Sequence, residues 1–372
     1  MSILKRTDGD LTLLRHPIRA RDTLRAWDAA DEYLLSHLAE TDINLDRLLI
    51  VNDGYGALAL SLACAQPTVV SDSVVGRQST LKNAVLNDID LAGVTFRTST
   101  APWMESPTTI LLKLPKSHQQ LVFQLSCLQR VMTASTVLIA AEMTKYLRRT
   151  ALDSFAGIIG PTRTSLARKK ARLIFATLDR GLVLSEAPTV QSYTVPGMGI
   201  RIADHPHVFS AGRLDRGSRL LLKHLPEVSG HVADLGCGSG VLGLGIARRN
   251  PSVHLSFFDE SYIAVENAKT NWLVNDFEPE RAQFHVSDCM SGYENEPFDL
   301  ILCNPPFHEG RAITDTVAHR MFKQARSHLV PNGRLMVVGN RHLGHHVRLK
   351  RLFGHCDVVE SDSKFVILSV KK

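Results

Sequence analysis

What this sequence of 372 residues lacks narrows its chemistry first. Its six cysteines (Cys64, Cys127, Cys237, Cys289, Cys303, Cys356) include no C-x-x-C pair. That argues against a disulfide framework or a zinc site, so no metal is expected, and it points to a reducing, cytoplasmic setting. No apolar stretch reaches membrane-spanning length, and the N-terminus carries no signal-peptide pattern. Neither sign of charge dominates: 43 Lys and Arg stand against 37 Asp and Glu, a formal +6. That excess is mild and permits a polyanionic partner such as nucleic acid. At this length, with 44% apolar residues, two cores are expected rather than one.

What is present is a repeated alternation. In the first half, Leu48–Val51, Thr68–Asp72, Thr109–Leu114 and Val137–Ala141 read as buried strands, separated by helix-like stretches. The βαβα order predicts a parallel sheet in an α/β fold. Residues 145–172 then set eight Lys and Arg, among them Arg163, Arg168, Lys169, Lys170 and Arg172, against the single acid Asp153. Such a cluster is either a solvated face or a phosphate-binding patch. Residues 178–200 have no clear period and hold Pro188 and Pro196. The expected division is a first domain over 1–185, a linker over 186–200 and a second domain over 201–372. The second half repeats the alternation with strands expected at Val232–Leu235, His254–Phe258, Gln283–Val286, Asp299–Leu302, Gly333–Val338 and Phe365–Val370. The last two follow without a crossover of ordinary length, which predicts an antiparallel edge.

Three turns at strand ends carry the chemistry. Asp234-Leu235-Gly236-Cys237-Gly238-Ser239-Gly240 follows a strand and opens a helix. Gly236, Gly238 and Gly240 let the backbone approach a ligand beside a helix N-terminus. Asp234 before the turn suits a cationic amino acid moiety better than a phosphate. Asp259, with Glu260 beside it, ends the next strand, where a carboxylate accepts from ribose hydroxyls; Asp288 ends the third, within reach of an adenine amine. An amino acid, a ribose and an adenine in that order describe S-adenosylmethionine. The fourth strand ends in Cys303-Asn304-Pro305-Pro306-Phe307-His308. The prolines stop the strand and stiffen the turn. Asn304 and the Pro305 carbonyl then offer two acceptors to a planar NH₂ group, on which Phe307 can stack. The plain alternative is a strand-ending turn whose Asn caps its own backbone.

The two halves also resemble each other. Asp53-Gly54-Tyr55-Gly56-Ala57-Leu58 aligns with Cys237-Gly238-Ser239-Gly240-Val241-Leu242, Asp72 with Asp259, and Asn83…Asn87-Asp88 with Asn271…Asn275-Asp276. In that alignment Ile50 replaces Asp234, Asn52 replaces Gly236 and Leu114 replaces Asn304. The first half therefore reads as a duplicate that kept its packing and lost its site.

These residues resemble the bacterial ribosomal RNA guanine-N2 methyltransferases, the family that spans small-subunit and large-subunit enzymes of the RsmC and RlmG type. The resemblance rests on Asp234–Gly238, on Asn304-Pro305-Pro306-Phe307-His308, and on His207-Val208-Phe209-Ser210 with Leu214-Asp215-Arg216-Gly217. Ala26–Leu35, Leu166–Leu173 and Gly339–Leu343 resemble the large-subunit branch in particular. The resemblance implies two tandem class I methyltransferase (Rossmann-like) domains, the N-terminal one degenerate and RNA-binding. It implies S-adenosylmethionine as cofactor, and one guanine of 23S rRNA, methylated at N2, as substrate. Phe209 becomes a candidate wall of the cofactor pocket, and Arg213 joins the basic residues as a candidate RNA contact. His308 can take a proton, although the product amine sheds one without help. A monomer is expected. Two rival readings stand beside this: methylation of another planar amino group (a 16S rRNA guanine N2, adenine N6 or a protein glutamine), and a non-catalytic RNA-binding assembly factor.

Overall fold

The computed structural model describes residues 2–6, 9–18, 24–185, 190–206, 208–306 and 310–372. The chain divides into two compact units, Met1–Thr189 and Val190–Lys372. The division falls inside the expected 186–200 linker, but part of that stretch is structured. Gln191–Val195 pairs antiparallel with Ile200–Asp204, and Val195, Ile200 and Ile202 are buried in the second unit's core. Five-residue strands interrupted by a glycine turn are too short to display a period, so sequence left them as linker.

The larger sheet of the first unit has seven strands: β1 (Leu48–Val51), β2 (Thr68–Ser71), β3 (Thr95–Thr98), β4 (Thr109–Lys113), β5 (Val137–Met143), β6 (Thr162–Thr164) and β7 (Ala171–Ala176). They lie in the order β3-β2-β1-β4-β5-β7-β6. The second unit holds β8 (His231–Leu235), β9 (His254–Asp259), β10 (Ala282–Val286), β11 (Phe298–Cys303), β12 (Leu329–Asn340), β13 (Asp357–Ser361) and β14 (Phe365–Lys371). Their order, β10-β9-β8-β11-β12-β14-β13, is the same. In both sheets the first five strands are parallel and the seventh runs antiparallel to the fifth, as expected for the end of the chain. Central strands are continuous apolar runs because helices cover both faces; every residue of β1 is buried. Sequence missed β13, whose five residues are all exposed and show no alternation, and the helix His345–Phe353 before it.

The Asn pairs that match between the halves have one structural cause. In the first unit a hairpin, Ser2–Leu4 with Leu11–Leu13, lies beside the helix Val74–Leu86. Asn83 Oδ1 accepts from Leu14 N–H at 2.9 Å, and Asn87 Oδ1 accepts from Thr12 N–H at 2.8 Å. In the second unit the hairpin Gln191–Asp204 meets the helix Tyr262–Val274 in the same way. Asn271 Oδ1 accepts from Ala203 N–H and Asn275 Oδ1 from Arg201 N–H, both at 2.8 Å. Each first Asn also donates to its own glycine turn, Asn83 to Tyr55 O and Asn271 to Ser239 O. An amide can both donate and accept, so it pairs a helix to a strand edge as another strand would.

Among the described residues, no helix is long and apolar enough to cross a membrane. Likewise, no group of three or more His, Cys, Asp or Glu among them is placed to hold a metal ion.

Candidate active site

The glycine turn leaves β8 at the carboxyl edge of the second sheet. Gly238 has φ +52 and Gly240 φ +79, in the left-handed region that favours glycine. A side chain at Gly238 would meet nothing within 4 Å, so the turn's backbone there borders open space. Gly240 caps the helix Val241–Arg249 and rests against Ala268, where a Cβ would come within 3.0 Å.

Asp234 lies beneath this turn. It is 1% exposed, and its Oδ2 accepts from Gly243 N–H at 2.8 Å. Burial, reinforced by the Asp259 carboxylate, pushes its pKa up to about 8 against the pull of that hydrogen bond. The side chain caps the helix and shapes the turn.

Asp259 does stand at the cleft. It is partly buried at the end of β9; Oδ2 accepts from Gly238 N–H and Oδ1 from Ser261 N–H, each at 3.0 Å. These two bonds fix the orientation of the carboxylate beside the turn. Glu260 beside it is exposed. Asp288 is 8% exposed and its Oδ1 pairs with Arg320 at 2.5 Å. It therefore ties the end of β10 to the helix Gly310–His328, a use that its position in the sequence does not reveal. Phe209 is 52% exposed, which removes the reading of a core residue.

Asn304 follows β11 directly. Its Nδ2 donates to Ser218 Oγ at 2.9 Å and to Asp215 Oδ2 at 3.2 Å. An ionised carboxylate only accepts, so the NH₂ end of the amide must face Asp215 and the oxygen must face away. That oxygen, Oδ1, is buried and has no hydrogen-bond partner among the described residues. A buried acceptor without a donor costs about 1–3 kcal/mol, which marks the position as one built for a ligand. Pro305 is buried and Pro306 exposed. Phe307 and His308 lie outside the described residues.

Asp215 and Ser218 are functional residues that sequence reasoning missed. Asp215 N-caps the helix Arg216–Lys223, accepting from Ser218 N–H at 3.0 Å with the oxygen that also holds Asn304. The signal was there as an Asp-x-x-Ser start to a helix. Its second use, across 89 residues to Asn304, is visible only in three dimensions.

The first unit repeats this node with different chemistry, and the strand register corrects one expected pairing. Val51 stands beside Leu112 as Leu235 stands beside Cys303. Lys113, not Leu114, therefore occupies the place of Asn304. Its Nζ meets Asp28 at 2.8 Å and Asp31 at 3.0 Å, the N-cap and third residue of the helix Ala29–Ala39. These correspond to Asp215 and Ser218. The shift by one arose because sequence alignment matched Pro115 to Pro305, whereas the register matches it to Pro306.

The expected basic cluster sits on the edge hairpin of β6 and β7. Two of its cations are neutralised: Arg168 pairs with Glu40 at 3.0 Å and Lys169 with Glu32 at 2.7 Å. Arg163 lies over the Phe175 ring at 4.2 Å. Lys170, Arg172 and, in the second unit, Arg213 make no ion pair with any described residue.

Comparison with known proteins agrees with this division. The profile of the RLMG N-terminal domain matches residues 1–180, and that of the methyltransferase small domain matches residues 199–369. The chain is 42% identical to the ribosomal RNA large subunit methyltransferase G of Erwinia tasmaniensis, over 100% of both chains. It is 43% identical to the protein of that name from Streptomyces avermitilis, over 98% of each. Among solved structures it is similar in fold to a T. thermophilus 16S rRNA N2 G1207 methyltransferase determined with AdoMet and guanosine. The TM-score is 0.80 at 22% identity, covering 100% of this chain and 97% of that one.

Proposed function

Because the chain belongs to the ribosomal RNA large subunit methyltransferase G family, we propose that it methylates the exocyclic N2 of one guanine in 23S rRNA, with S-adenosylmethionine as the methyl source. The single observation that carries the N2 assignment is Asn304 Oδ1, a buried acceptor held without a donor at the strand end.

The residues present fit the cofactor. The glycine turn borders open space at Gly238, and Asp259 is held in orientation beside it by Gly238 and Ser261 N–H. Gly236, Gly238 and Gly240 would hold the amino acid end by backbone, positioned by Asp234, and Asp259 with Glu260 would hold the ribose. Asp288 and Phe209 would border the adenine, Phe209 by its exposed ring. When bound, S-adenosylmethionine supplies a methyl group that is already electrophilic.

The chain's own work is on the amine, whose lone pair is delocalised into the guanine ring. Asn304 Oδ1 and the Pro305 carbonyl would each accept one N2 hydrogen, favouring a more tetrahedral nitrogen and aiming its lone pair. Asp215 and Ser218 keep the amide from turning its NH₂ group toward the substrate. Pro306 stiffens the turn, and Phe307 would stack on a base drawn out of its RNA context. Orienting the reactants supplies several kcal/mol of the barrier reduction. In the first unit, Lys170 and Arg172 are the hairpin cations most available to phosphate, with Arg163, Arg168 and Lys169 partly engaged; Arg213 is available in the second.

The test is methylation of unmodified 23S rRNA with labelled cofactor, followed by digestion and nucleoside identification. N2-methylguanosine at one site supports the reading. Label in N6-methyladenosine, in 16S rRNA alone, or in no RNA would overturn it.

A further inference from the structure

From Thr316 to Cys356 the chain contains no Asp or Glu, while it contains eight Lys and Arg. The segment builds two helices, the described part of Gly310–His328 and His345–Phe353, with β12 between them. Both bury their apolar side in one core against the same sheet face: Ala318, Met321, Phe322 and Ala325 from the first, Leu349 from the second. They touch directly, with the Phe322 and His345 rings 5.3 Å apart edge to face. Their outward sides are therefore neighbours. Lys323 and Arg326 are exposed on the first helix, one turn apart; Lys350 and Arg351 are exposed on the second. None of these four makes an ion pair with a described residue, in contrast to Arg168 and Lys169 of the first unit.

A charge run on a helix is ordinarily solvated, and its cations are ordinarily offset by acids at i±3 or i±4. Here no acid stands at i±3 or i±4 of any of the four. The uncompensated field falls on one face of the unit that carries Asn304. Lys323 and Arg326 lie toward the end of the helix Gly310–His328, about 20 and 24 Å along it from its start at 1.5 Å per residue. Compact, unpaired cations along a ridge suit successive phosphates, and long flexible side chains suit them whatever the base sequence.

We propose that this two-helix face, through Lys323, Arg326, Lys350 and Arg351, binds the phosphate backbone of the RNA that flanks the target nucleotide. The inference rests on the reading that the substrate is rRNA, and it places a principal phosphate contact on the catalytic unit itself. The experiment measures binding of an unmodified 23S rRNA transcript to the full chain at several salt concentrations. The wild type is compared with K323Q/R326Q/K350Q/R351Q and with a control that loses charge elsewhere, K82Q/K269Q. Glutamine keeps helix propensity, and an unchanged thermal midpoint and cofactor affinity certify the fold. Each phosphate contact contributes about 0.7–0.9 to the slope of log K against log salt, so the four-site variant should lose about 3 from that slope and more than tenfold in affinity near 0.15 M salt. The control should lose less than 1. A four-site slope equal to wild type, or no steeper a loss per charge than the control, overturns the proposal. Failure of the functional reading looks different: wild-type protein would then leave the transcript unmethylated whatever its salt slope.

Discussion

The two units share a strand order, an Asn-tethered hairpin and a glycine turn that opens a helix, yet at the same node one holds an amide and the other an ammonium. In the second unit Asn304 is bound on its NH₂ side by Asp215 and Ser218 and leaves an oxygen without a donor. In the first, Lys113 is bound by Asp28 and Asp31, and none of the three leaves a buried side-chain oxygen or nitrogen without a partner. The helix cap beside it has moved too. Asp234 under the second turn is replaced by Ile50, and Asp53 inside the first turn accepts from Gly56, Leu58 and Ala59 N–H instead. Gly240 and Gly243 N–H, the counterparts of Gly56 and Ala59, are held by Cys237 O and Asp234 Oδ2, so both turns are braced, by different residues. What duplication preserved is packing; what differs is whether hydrogen-bonding capacity is left over. A site is visible here as deliberate incompleteness, and its decayed copy as completion.

The comparison can be broken first at the ion cluster. Lys113 and Asp31 are 14% and 9% exposed, so removing the lysine strands buried carboxylate charge. Lys113→Ala should cost about 3 kcal/mol in denaturant unfolding, at the low end for a buried pair because Asp28 is half exposed. A loss below about 1 kcal/mol would mean that the node is not what holds the first unit together.

The Asn tethers sharpen the likeness. Asn83→Ala and Asn271→Ala each orphan backbone groups of a hairpin and a glycine turn, and each should cost about 2 kcal/mol. Hydrogen exchange read separately on the two hairpins should show protection lost only in the mutated unit. Unequal costs would show that the shared bonds do not do shared work.

A further test of the difference between the two turns concerns pH. Burial raises the folded pKa of Asp234 to about 8 from an ordinary carboxylate value. The folded state then holds a proton that the unfolded chain has released. The associated stability is full below the unfolded pKa and declines as pH rises toward 8. Asp234→Asn keeps an acceptor for Gly243 N–H and removes the titration, so the variant should gain on wild type as pH rises from about 4 to 8. A parallel pair of stability curves would contradict this.

Much of this was legible in sequence. Apolar runs closed by Gly, Asp or Pro located the central parallel strands, though not β7, which the basic segment over 145–172 obscured, and Asn83…Asn87 against Asn271…Asn275 disclosed the duplication because an Asn tether needs both residues one turn apart. What was not legible depended on distance. Asp215 looked like a helix cap; its grip on Asn304 crosses the unit. Asp288 stood at a strand end, but Arg320 claims one of its oxygens. The Lys113 register was missed because prolines, not hydrogen-bonded neighbours, set the alignment. Edge strands such as β13 have no buried side and so leave no period to read.

The central claim is that Asn304 acts on the amine and not on the cofactor. One preparation of Asn304→Ala, assayed for single-turnover methylation of unmodified 23S rRNA and for cofactor binding by calorimetry, tests it directly. The account predicts a rate lower by roughly a hundredfold or more, with cofactor affinity within about threefold of wild type. Cofactor affinity falling in step with the rate, or a rate left intact, would contradict it.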